Sequence, residues 1–155
     1  MEDNFLSLDG HDFKLICHIK PQVDEDGLIK KIMPQGRYKK AETTPLNPYG
    51  SGPFCKFTIP RKMNWMGVYI IDVSGLPNYV GECKDFSSRF NSGYGNISPK
   101  NCYIGGQRTN CRINNKIYHA SVLGEDIRLW FLRTENYKVI EASLRASQKM
   151  RWNLI

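Results

Sequence analysis

Residues 67–82 read GVYIIDVSGLPNYVGE. Two short apolar segments, each holding a tyrosine beside a glycine, flank a stretch with Ser74, Gly75, Pro77 and Asn78. Residues 68–71 are apolar on both faces, which predicts a central strand covered on both sides. The turn residues and the return through Tyr79, Val80 and Gly81 predict an antiparallel hairpin. Tyr69 and Tyr79 are then either packing residues of that hairpin or a matched pair of reactive phenols. The choice depends on the register, because a slip of one residue moves a side chain to the other face.

Downstream of the hairpin, Asp85 opens a short helix in which Phe86 and Phe90 share a face while Arg89 falls off the apolar stripe. Thr109 or Asn110 is placed to cap a second helix with Ile113, Ile117 and Ala120 on one side. Residues 125–133 alternate enough to form a third strand pairing with the hairpin. Thr134 then caps a final helix that turns Tyr137, Ile140 and Leu144 inward. Glu141 shares the edge of that buried face; the plain role for it is an ion pair with Arg145, one turn on. Upstream, residues 12–19 and 54–59 read as strands, the second placing Cys55, Phe57 and Ile59 on one face. Between them MPQGRYKK and PLNPYGSGP resist regular structure, and a loop that long is a candidate for wrapping a partner.

The chain has 155 residues, 41% of them hydrophobic, enough for one domain with its own core. No run approaches the roughly 18 apolar residues of a membrane span, and a start carrying Glu2, Asp3, Asp9 and Asp12 is unlike a secretory signal, so a soluble, cytoplasmic protein without membrane partners is expected. The five cysteines are odd in number and lack a C-x-x-C pair, which fits reduced, buried thiols; Cys102, Cys111 and His119 are too irregularly spaced to argue for zinc.

Charge is segregated. Residues 1–26 carry seven acids against Lys14 and Lys20, and residues 27–62 reverse the balance with eight basic residues against Glu42. Residues 92–116 hold Lys100, Arg108, Arg112 and Lys116 and no acid, among Gly, Asn and Tyr. With a net charge of +7, such blocks suit a polyanion: cations supply affinity for phosphates, while Arg, Asn and Gln can read base edges.

The order of parts, Gly67-Val68-Tyr69, then Tyr79-Val80-Gly81, an arginine in the next helix, a third strand and a glutamate in a terminal helix, resembles the GIY-YIG nuclease superfamily over about residues 67–153. Valine stands for isoleucine in both tripeptides. The resemblance implies an α+β fold, a small antiparallel central sheet flanked by helices, here with a β-containing N-terminal extension (1–66) before a catalytic core (67–155) that carries an inserted recognition loop at about 92–116. It also implies a site: Tyr69 as general base, Tyr79 beside it orienting water or phosphate, Arg89 clamping a non-bridging oxygen, and Glu141 holding one Mg²⁺, with Mn²⁺ as a substitute. A free tyrosine has a pKa near 10, so the base role requires cations that lower it. Asn153 resembles an asparagine that some members place near the tyrosines, and Lys84 is a candidate phosphate contact or a solvated lysine.

Few residues follow Glu141, and the extra length lies before and inside the core. That layout resembles the restriction endonuclease branch, which implies sequence-specific cutting of double-stranded DNA by a homodimer on a symmetric site. Gln107, Arg108, Asn110, Arg112 and Asn114 would read bases, and Arg37, Tyr38, Lys39 and Lys40 would grip phosphates. The alternatives are a phage, mobile-element or repair-type nicking nuclease, and an inactive DNA-binding relative.

Overall fold

The computed structural model describes residues 4–154. Glu2 and Asp3 of the acidic start lie outside the described residues. The fold is α+β, and the chain forms two compact units that alternate along the sequence. The first takes Met1–Ile19, Ile59–Arg89 and Glu125–Ile155; the second takes Lys20–Thr58 and Phe90–Gly124. The expected N-terminal extension, 1–66, begins and ends in the first unit and passes through the second over Lys20–Thr58. Among the described residues no helix is long and apolar enough to cross a membrane.

The first unit is built on a five-stranded antiparallel sheet. Its strands are β1 (Phe5–Leu8), β2 (His11–His18), β3 (Gly67–Val73), β4 (Leu76–Cys83) and β5 (Ile127–Arg133), in the order β1-β2-β5-β3-β4. The expected three strands are joined by β2, the strand expected at 12–19, and by β1, which was not expected; the hairpin these two form closes on Asp9 and Gly10, both at positive φ. Positive φ at both central positions is what a two-residue hairpin turn demands. The central hairpin turns on Ser74 and Gly75, at φ 53° and 88°. Leu76 and Pro77, expected in the turn, belong to β4 instead. A proline is tolerated there because β4 is an edge strand and its register shifts at Asp72, which opposes Pro77.

Cross-strand pairing sets the two faces of this sheet. Tyr69 opposes Gly81 and Phe131, and Ile71 opposes Tyr79 and Leu129, so these residues share one face. On that face Phe86, from the short helix α1 (Phe86–Arg89), stacks on Phe131 with ring centroids 4.1 Å apart. The other face carries Val68, Ile70, Val80 and Trp130. It is covered by Leu144 and Met150, with Tyr137 and Ile140 of the C-terminal helix partly buried against it. Asp72 accepts from the indole of buried Trp130 and pairs with Arg128 at 3.1 Å.

The second unit holds a helix running Arg108–Val122, labelled α2, short 3-10 helices at Gln35–Arg37 and Lys100–Cys102, a π-helical segment at Phe90–Tyr94, and otherwise irregular chain. The helix starts earlier than expected: Gln107 occupies the N-cap without a side-chain bond, which puts Thr109 and Asn110 inside the first turn. Ile113, Ile117 and Ala120 are buried as expected. The strand expected at 54–59 is absent. Cys55, Phe57 and Ile59 are buried, but Phe54 is buried too, and the main chain there bonds to non-strand partners. Asn114 is the chief of these: its Oδ1 accepts from the Cys55 N–H at 2.9 Å, and its Nδ2 donates to the carbonyls of Cys55 at 2.8 Å and Tyr94 at 2.7 Å. The alternation of the sequence therefore reflects burial without strand pairing, and at Cys55 an asparagine amide does the work of a neighbouring strand.

The polar link is fixed by similar means. Asn47 donates to the carbonyls of Asn101 at 2.6 Å and Tyr103 at 3.3 Å, and its Oδ1 accepts from the Tyr49 N–H at 2.9 Å. Gly50 lies so close to Cys102 that a Cβ would sit 1.8 Å from its carbonyl oxygen. Tyr103 donates to the Gln35 carbonyl at 2.8 Å, and its ring packs on Tyr38 at 4.7 Å.

Two outcomes are expected from denaturant unfolding. Asn114→Leu, which leaves buried main-chain groups without partners, lowers stability by more than about 2 kcal/mol. Gly81→Ala, whose Cβ would fall 2.4 Å from the Tyr69 ring, lowers it by about 1–3 kcal/mol.

Candidate functional site

The first unit carries all the residues expected to do chemistry. Register puts Tyr69 and Tyr79 on the same face as diagonal neighbours, with ring centroids 6.2 Å apart. Tyr69 leans across β4, because a Cβ on Gly81 would meet its Cζ and Oη at 2.4 Å each. The glycine of the second tripeptide is therefore a seat for the tyrosine of the first. The first tripeptide's Gly67 is needed for a similar reason, since a Cβ there would lie 2.2 Å from the Leu132 carbonyl oxygen. Tyr69 is 1% exposed and Tyr79 7%.

Arg89 ends α1, on the unit's tyrosine side. Its charge reaches Cys83, which shares the face of Gly81: burial pushes that thiol up to about 12, and the Gly67 main chain and the Arg89 guanidinium pull it down. Lys84 is exposed. Asn153 is more than an ordinary terminal residue: its Oδ1 accepts from the Val80 N–H at 3.0 Å, and its Nδ2 donates to the Val80 carbonyl at 2.9 Å. One residue earlier, the Trp152 N–H donates to the Asn78 carbonyl at 2.7 Å. The C-terminal segment thus closes the open edge of β4 beside Tyr79, where unpaired strand groups would otherwise be exposed.

Glu141 stands on α3 (Tyr137–Gln148), the helix packed on the Val80 face, opposite the tyrosine rings. The helix begins from Asn136 and not from Thr134, whose hydroxyl instead accepts the Asn136 N–H. Only 9% of Glu141 is exposed, and Arg145 Nε lies 3.5 Å from its Oε1, so the expected ion pair with the next turn does form. Burial pushes the Glu141 carboxyl above the usual glutamate range; the Arg145 guanidinium opposes the shift and the charge of Glu82 adds to it. Glu82 is a residue that the sequence reading passed over. Alternation from Val80 is the signal that places it on the α3 side.

The metal implied by the resemblance can be tested against these donors. Glu141 and Glu82 offer hard oxygen atoms, and Mg²⁺ keeps several of its waters while taking only one or two carboxylates. The chemistry of the pair fits. Among the described residues no group of three or more His, Cys, Asp and Glu side chains gathers as a metal site. Cys102 and Cys111 are buried as hydrogen-bonded neighbours, whereas His119 is exposed beside Asn115, so these three form no zinc site.

The second unit carries all the residues expected to read or grip DNA. Arg37, Lys39, Lys40, Gln107 and Arg108 are exposed, and Tyr38 is half-buried against Tyr103. Asn110 and Arg112 are buried at 4% and 7% exposure, with the Arg112 guanidinium 5.9 Å above the Tyr49 ring. Asn114 is corrected to a structural residue, because its amide is saturated by the Cys55 and Tyr94 main chain and it has no exposed surface. Compared with family models, curated proteins and solved structures, the chain finds no match.

Because folded Glu141 holds its proton more tightly than the unfolded chain does, its ionisation costs stability. Stability should therefore fall as pH rises from the ordinary glutamate pKa of about 4.3 through the raised value. Glu141→Gln in the metal-free protein is expected to flatten that pH dependence and to unfold at neutral pH no lower than the parent. Thermal unfolding across pH 4–8 measures both; a large loss of stability at neutral pH would mean the carboxylate is structural.

Proposed function

We propose that the protein is a metal-dependent endonuclease of the GIY-YIG type that cuts double-stranded DNA at a specific sequence. The observation that carries this reading is the register-fixed pair of tyrosines on one sheet face, with Tyr69 seated over Gly81. Packing alone asks only for buried apolar surface. Two adjacent phenols on a face that also receives an arginine-bearing helix offer a proton acceptor, an aligning donor and a cationic clamp.

In this reading the Tyr69 hydroxyl, as phenolate, takes the proton of the attacking water. Tyr79 orients that water or the phosphate, and Arg89 binds a non-bridging oxygen with its fork of donors. Water adds to phosphorus as the P–O3′ bond breaks. On the α3 side of the sheet, opposite the tyrosine rings, Glu141 and Glu82 would hold Mg²⁺, which would supply charge neutralisation there. Arg37, Lys39 and Lys40 supply phosphate affinity, Tyr38 is held beside them, and Gln107 and Arg108 are the exposed side chains with base-reading chemistry. A symmetric double-strand cut would draw two copies together on DNA.

Incubation with unmodified bacteriophage DNA, with and without Mg²⁺, tests the reading. Discrete metal-dependent bands are expected from the parent and none from Glu141→Ala. Tyr69→Phe is expected to slow cleavage by about 10²–10⁴-fold, the usual worth of a general base. A larger loss from Tyr79→Phe would exchange the two tyrosine roles. Nicked circles would favour the single-strand alternative, and bands that survive Glu141→Ala would overturn the metal assignment.

A further inference from the structure

The outer side of α3 and the chain that follows it border a half-open cavity of about 830 Å³ in the first unit. Arg145, Lys149 and Arg151 line it, and no acid does. Its apolar wall includes Ala146, Met150 and Leu154. The hollow exists because small residues, Ala142 and Ala146, stand one turn apart where longer side chains would fill it. One wall is Asn153, the residue clamped to Val80 on the edge of β4, so the cavity borders the strand that carries Tyr79. Arg145, on another side, is the partner of Glu141.

The backbone adds a second observation. Lys149 ends α3 in the left-handed conformation, at φ 47° and ψ 57°. Glycine is the residue that takes this position without strain, and here the position carries a charged side chain that lines the hollow. A cation near a helix C-terminus also complements the helix dipole, which explains part of Arg145 and Lys149. Arg151 lies beyond the helix, where that benefit has faded, and it lines the same cavity.

We infer that this cavity is a binding site for the phosphodiester backbone of a nucleic acid strand, on the α3 side of the first unit beside Glu141. The cations meet phosphates and the apolar wall meets sugar and base faces. The inference rests on the proposed action on DNA and adds a second anchoring point, on the first unit, to the basic surface of the second.

The test separates binding from cleavage. Fluorescence anisotropy of a labelled duplex is measured in EDTA over about 50–200 mM salt, while cleavage is measured separately with Mg²⁺. The double variant Lys149→Gly with Arg151→Ala is expected to weaken binding about 10-fold and to reduce the slope of log affinity against log salt by about 2. Glycine suits the left-handed position, so the fold should be retained, as an unchanged unfolding midpoint would report. Exposed Arg151→Glu serves as an independent second variant and should weaken binding alone. Unchanged affinity and slope in both variants would overturn the inference, as would failure of the parent to bind DNA. Displacement of the duplex by inorganic phosphate at matched ionic strength would reassign the cavity to a free anion. Binding that depends on Lys149 and Arg151 in a protein that never cleaves would uphold the cavity and sink the nuclease reading.

Discussion

The first unit depends on the contact between the Tyr69 ring and the bare Cα of Gly81. Antiparallel pairing places these residues opposite each other, and only a residue without a Cβ leaves room for the ring to cross β4. Once Tyr69 lies there, Tyr79 falls on the same face, diagonally displaced, and Phe86 can pack over Phe131. A shift of one residue between β3 and β4 would put the two tyrosines on opposite faces, one of them in the apolar face that α3 covers. The close approach thus fixes register, core and the geometry of the candidate site together.

Polar side chains hold the second unit in the way that strand pairing holds the first. Asn114 and Asn47 satisfy main-chain groups that have no ladder to join, so an irregular chain rich in Pro, Gly and Asn is folded without a sheet. Buried networks of this kind are costly when incomplete, which makes them specific. The two units also divide the candidate residues: the phenols and the buried carboxylate sit in one, the exposed side chains proposed to read bases in the other.

The elements that were legible have a physical signature along the chain. A fully apolar β3, the Ser-Gly turn and the amphipathic faces of α2 and α3 can all be read because period and turn chemistry are local. Residues 54–59 misled because alternating burial does not require strand partners. Asn114 misled because its type suits base reading equally well as main-chain bonding, and only its surroundings choose. The N-terminal hairpin was within reach, since Asp9-Gly10 is a strong turn signal, whereas its pairing with β5 is a non-local event that no local pattern encodes.

The sequence by itself determined the hairpin, the candidate residues and the segregation of charge, because each is a property of residue type and spacing. Tertiary structure alone decided that the tyrosines share a face, that Glu141 is buried on the α3 side within reach of the Glu82 charge, and that Asn153 closes the edge of β4. These facts depend on register, on which helix covers which face and on contacts between residues as much as 73 positions apart. Such contacts form when distant segments bury surface together, and the energy that selects them is not assigned to any one stretch of chain.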